Sequence, residues 1–131
     1  MTNDEIMALT PEQLRVEIAK AKGWNVREKV YRRREEGYSH DTEIKELVYG
    51  AWPDCFTLPN WPGDIAAAYA LEDEIPHDER AKYAQILTAI TRKQSVYFFD
   101  LCNQDYCDWM IIHATAEQRC RAWLMWKENR N

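Results

Sequence analysis

At 131 residues the chain suits one domain with one core, and its 46% hydrophobic content with few Gly and Pro excludes a disordered chain. A net charge of −5 excludes a general nucleic-acid or membrane-surface binder, which needs a basic face to meet phosphates. No apolar run approaches the roughly 20 residues that cross a bilayer.

The acidic start, Thr2-Asn3-Asp4-Glu5, is unlike a signal peptide, so a cytoplasmic setting is expected. The four cysteines are then read as free thiols rather than bridges. Six tryptophans are the unusual feature, since each buries a large area in a core or an interface.

Thr10, Pro11 and Gln13 offer an N-cap hydroxyl, a proline at the first helical position and the return arm of a capping box. Leu14, Ile18 and Ala21 follow at helical spacing and Gly23 supplies a left-handed stop, which predicts a helix over 11–22. Asn25–Gly37 is mostly charged, with Val26 and Val30 four apart, and reads as an exposed helix or an arm. Asp41–Gly50 reads as a short helix with Ile44, Leu47 and Val48 on one stripe, giving a charged helical insertion at about 25–50. Trp52-Pro53 and Pro59-Asn60-Trp61-Pro62-Gly63 form a loop that regular structure cannot cross. Asp64 then opens an alanine-rich helix over 63–75, ended by Pro76.

Tyr83–Thr91 fits either a helix or a strand; Ile86, Thr88 and Ile90 on one face favour a strand over 82–91. Runs at 95–102 and 107–114 flank a four-residue turn and read as a hairpin with two apolar faces. Such a sheet needs cover on both sides. Thr115 and Gln118 repeat the capping box and start a helix over 115–128. The predicted fold is α+β: an α-β-α sandwich in one domain over 1–131, with an antiparallel meander of about three strands covered by helices on both faces.

Catalytic signals are weak. His40, His77 and His113 are scattered, and no phosphate loop or nucleophile elbow occurs. Cys102, Cys107, His113 and Cys120 could suit zinc chemically, but the spacing lacks close ligand pairs, and core cysteines are the better reading. Glu72, Asp73, Glu74, Asp78 and Glu79 could hold a divalent ion, though a solvated rim fits them better. The binding candidates are Trp52 and Trp61 in the loop, and Arg119 and Arg121 on the last helix. No catalytic residue, metal or cofactor is expected.

Residues Pro59–Glu72, reading Pro-Asn-Trp-Pro-Gly-Asp-Ile-Ala-Ala-Ala-Tyr-Ala-Leu-Glu, resemble the Pro-rich entry and following helix of the phage ABA-sandwich domain family. Ala114–Ala122 is similar to that family's closing Thr-Ala-…-Ile-Cys-Arg-Ala helix, and Leu14 to Trp24 to its opening helix and Gly-Trp. With the strands between them these segments span somewhat more than half the chain. The chain departs from the family in the charged Arg27–Glu36 stretch and in Gln118 and Arg119 ahead of the matching cysteine.

The resemblance implies a phage or prophage sandwich protein in the host-cell cytoplasm, and brings no catalytic residues. The functional expectation is a non-enzymatic accessory protein that counters host defence by sequestering a nucleotide-type signal, as a homo-oligomer. Two alternatives stand beside it: an inhibitor that binds a host defence protein through an acidic or Trp-rich interface, and a small metal-dependent hydrolase.

Overall fold

The computed structural model describes residues 1–33, 42–50, 56–94 and 111–130. The helices described in full are α1 (Asn3–Ala8), α2 (Pro11–Ala21), α3 (Ile65–Asp73), α4 (Arg80–Gln94) and α5 (Ala116–Glu128). A 3₁₀ turn at His77–Glu79 leads into α4. No helix among the described residues is long and apolar enough to cross a membrane.

The starts of α1, α2, α3 and α5 follow from their caps. Thr10 accepts from the Gln13 N–H while Gln13 returns the bond to the Thr10 N–H, and Thr115 and Gln118 repeat both arms. Asp64 accepts from the Ala66 N–H at the head of α3. Helix α1, absent from the sequence reading, is capped by Thr2, which accepts from the Glu5 N–H. The Thr-x-x-Glu pattern at 2–5 was the signal for it.

Helix α5 is the centre of the layer: α1, α2, α3 and α4 all pack against it. Every residue from Arg119 to Trp126 is buried, so α5 is enclosed on all sides rather than on one stripe. Around it the other helices present stripes at helical spacing: Leu14, Ile18 and Ala19 of α2, Ala68 and Leu71 of α3, Tyr83, Leu87 and Ile90 of α4. Each fully buried aliphatic side chain contributes about 1.5–3 kcal/mol relative to exposure.

The sheet is a three-stranded antiparallel meander, β1 (Val26–Arg33), β2 (Thr42–Tyr49) and β3 (Phe56–Thr57), in the order β1-β2-β3. The expected α+β class and three-stranded antiparallel sheet are therefore present, but other residues build the sheet. The predicted helical insertion at 25–50 is instead the β1–β2 hairpin, with Val26 opposite Tyr49 and Val30 opposite Lys45. Val26 and Val30, four residues apart, share a face in a helix and equally in a strand. The β-branched and aromatic content of Val26, Val30, Tyr31, Thr42, Ile44 and Val48 tips the balance to strand.

The strand predicted over 82–91 is helix α4. Its buried residues Tyr83, Leu87, Ile90 and Thr91 recur every three or four positions, which a period of two cannot produce. The strands predicted at 95–102 and 107–110 lie outside the described residues. Ile111 and Ile112, the next positions of that prediction, are helical.

Candidate functional site

The corner where α2 passes into the sheet gathers the aromatic residues. Gly23 ends α2 at φ +79°, a conformation that side chains with a Cβ resist. Its N–H donates to Lys20 O and the Trp24 N–H donates to Ala19 O, both at 2.9 Å, closing a Schellman turn. The chain reverses there and lays Trp24 beside the start of β1.

The strand register then completes a row. Val26 opposes Tyr49, and Tyr49 opposes Phe56 across the next pair. Trp24 stacks on Tyr49 with centroids 4.1 Å apart and planes 16° apart. Trp61 meets Trp24 at 5.5 Å, and Phe56 meets Tyr49 at 5.6 Å. The series Trp61–Trp24–Tyr49–Phe56 thus runs from a side chain 3% exposed to one 56% exposed.

Cations and carbonyls hold this row in place. Lys22 Nζ lies 5.0 Å from the Trp24 ring and pairs with Glu74. Arg15 of α2 donates from Nη2 to Leu58 O at 2.6 Å and from Nε to Pro59 O at 3.2 Å, fixing the segment that carries Trp61. Arg27 donates to Gly50 O at 2.5 Å, where the chain leaves β2 through a second left-handed glycine.

The sequence-predicted binding residues are not brought together at this corner. Trp52 lies outside the described residues. Trp61 is in the core, as the bottom of the aromatic row, and offers no free face. Arg119 and Arg121 are each 5% exposed and bond internally, which corrects their reading as surface phosphate ligands.

Arg119 donates to Glu72 Oε1 at 2.8 Å, Ile111 O at 2.6 Å, Ala114 O at 3.2 Å and Ile112 O at 3.4 Å. Arg121 donates to Ile6 O at 2.6 Å, Leu9 O at 2.8 Å and Met7 O at 3.2 Å, and pairs with Glu117. Those carbonyls lie at the end of α1, where a helix leaves its last acceptors unsatisfied. Arginine supplies donors there in a fixed fork.

The titratable groups of the interior point away from chemistry. Burial, then the nearby Glu72 and Glu117 carboxylates, push the Cys120 thiol up to about 12. Burial and Glu72 likewise raise the Tyr83 hydroxyl well above its usual value. A thiol held in its neutral form is a weak nucleophile and a poor metal ligand.

Cys120 fills core space, while Cys102 and Cys107 lie outside the described residues. Among the described residues no group of three His, Cys, Asp or Glu side chains is placed to hold a metal ion. The acidic cluster is a rim tied to its surroundings: Glu72 to Arg119, Glu74 to Lys22, and Glu79 to Arg130 at 3.2 Å.

Concave surfaces also lie away from the corner. A groove of about 260 Å³ runs between α1 and α4, edged by Asp4 and Lys93 over Met7, Ile86 and Ile90. A second, of about 270 Å³, lies between α2 and the hairpin. A third, of about 390 Å³, crosses the alanines of α4 beside Ile111. None of the three has an aromatic wall on which a base could stack.

No family model, curated protein or solved structure gives a significant match to this chain.

Proposed function

We propose that this chain is a non-catalytic protein-binding module, of phage or prophage origin as its family resemblance implies, that inhibits a host defence protein by occupying it. The observation that carries this reading is the aromatic row ending in Phe56. A large ring lies more than half exposed, yet is backed by Tyr49 and Trp24 and anchored in the core by Trp61. Rigid, pre-placed aromatics are what binding hot spots are made of, because little conformational entropy remains to be lost on docking.

Sequestration of a nucleotide signal is less well supported. The arginines expected to meet its phosphates are spent on backbone carbonyls and carboxylates. The aromatic row turns only its last ring outward, whereas a sponge holds a base between faces.

The test is capture from a bacterial host extract, with the wild type and Phe56→Asp as parallel baits and their melting temperatures compared. A host protein retained by the wild type and lost with Phe56→Asp, at unchanged melting temperature, is the expected result. A thermal-shift panel of cyclic nucleotides and ADP-ribose derivatives supplies the counter-result. A ligand at 100 times its dissociation constant adds about 2.7 kcal/mol of stability. Such a shift, absent a protein partner, would replace the inhibitor with a sponge, or with an enzyme if the ligand is consumed.

A further inference from the structure

A second surface, built from other residues and independent of the aromatic corner, lies on α3. The exposed large hydrophobics among the described residues are Met1, Val30, Phe56, Ile65, Tyr69 and Ile112. Scattered singly such residues mean little. Ile65 and Tyr69, however, are one helical turn apart on α3 and are 42% and 47% exposed.

Arg119 ties the backbone at Ile112 to the same helix. Its guanidinium lies 4.9 Å beneath the Tyr69 ring while donating to the carbonyls of Ile111 and Ile112. Ile112 is 69% exposed. Ala66 and Ala70, also exposed, leave the ground beside Ile65 and Tyr69 low enough for another backbone to approach. The buried arginine holds Tyr69 from below, so the ring is set in position before any partner arrives.

The segment that carries this strip is acidic. From Asp64 to Glu79 the chain carries six carboxylates and no lysine or arginine. Glu72, Glu74 and Glu79 have cationic neighbours within the fold. Asp73 and Asp78 are exposed, and no cation pairs with either among the described residues.

We propose that α3 is a docking strip for a basic amphipathic helix of a protein partner, with apolar side chains on Ile65, Tyr69 and Ile112 and lysines or arginines over Asp73 and Asp78. Complementary charge selects this occupant. A second copy meeting this strip with its own would set carboxylates against carboxylates. Nucleic acid and anionic membranes are repelled for the same reason.

The test uses the full chain and a fluorescent 14-residue helical peptide of leucine and lysine, with a leucine–glutamate peptide as control. Anisotropy titration is expected to show binding of the lysine peptide alone, weakened by rising salt. The double variant Ile65→Ser with Tyr69→Ser is expected to lose about tenfold in affinity. Asp73→Asn with Asp78→Asn should lose about two- to fivefold. Phe56→Ser should change nothing, and a loss with Phe56→Ser instead would place the peptide at the aromatic corner.

Absence of binding, or equal binding by the Ile65/Tyr69 double variant, overturns the proposal. So does concentration-dependent self-association in sedimentation that this variant abolishes, because the occupant is then a second copy. If the double variant melts early, hydrogen exchange on the wild type decides. Peptide-induced protection must fall on residues 65–73 and 112, and protection elsewhere overturns the assignment.

Discussion

Helix α5 and the β1–β2 hairpin use the same ion-pair chemistry in opposite surroundings. On α5, Arg119 and Arg121 are 5% and 6% exposed at their side chains, and each meets a carboxylate plus several carbonyls. On the hairpin, Lys45 and Glu28 meet diagonally across the strands at 3.8 Å and remain 64% and 50% exposed. A buried charge whose partner is removed keeps its full desolvation penalty, whereas an exposed one returns to water. The first pair of arginines therefore holds the architecture, and the second region is free to vary.

The comparison can be broken at four points. Arg121→Ala should destabilise by about 2–4 kcal/mol in urea unfolding, because the carbonyls of Ile6, Met7 and Leu9 lose their donor together, whereas the half-exposed Glu117 returns to water. A cost under about 1 kcal/mol would show that water reaches those carbonyls and that α5 is no more enclosed than the hairpin.

The next effect is alkaline. The Cys120 thiol moves from 9.0 in the unfolded chain to about 12 in the fold, so unfolding releases its proton anywhere in that window. Stability present below pH 9 should be lost as pH rises towards 12, with a decline on the order of 1 kcal/mol per pH unit. Tyr83, also raised by burial, acts in the same direction. The decline should be shallower in Cys120→Ala; an identical slope would mean that other groups carry it.

Thr115→Ala removes one arm of the α5 capping box and should cost about 1 kcal/mol. Lys45→Ala sits at the other extreme, with an expected change below about 0.5 kcal/mol that vanishes at high salt. A larger loss from Lys45→Ala than from Thr115→Ala would reverse the ranking of the two regions.

The helical caps were legible because each is a local pattern: Thr10 with Gln13 and Thr115 with Gln118 decide their bonds within four residues. The hairpin was not, since Val26, Val30 and the charges between them satisfy a helix or a strand until Tyr49 arrives to pair. Helix α4 was misread for a related reason. Ile86, Thr88 and Ile90 alternate, but the residues that bury are Tyr83, Leu87 and Ile90, selected by contact with α5.

Of the site, Trp61 was read either as a binding residue or as a plug at the end of the sandwich, and its burial matches the plug; Phe56 was missed because no motif marks it. The arginines misled for a physical reason: sequence shows their charge, not the carbonyls folded around them, which for Arg121 come from residues more than a hundred positions away.

Those distant carbonyls also bear on how the molecule is made. A ribosome releases α1, α2, α3 and α4 before α5, yet all four pack on α5 and Arg121 completes the end of α1. The nascent chain must carry its apolar stripes uncovered until α5 clears the exit tunnel. A stall or frameshift anywhere upstream of Ala116 would leave helices without a hub, to be removed by proteases rather than accumulated as a smaller working protein.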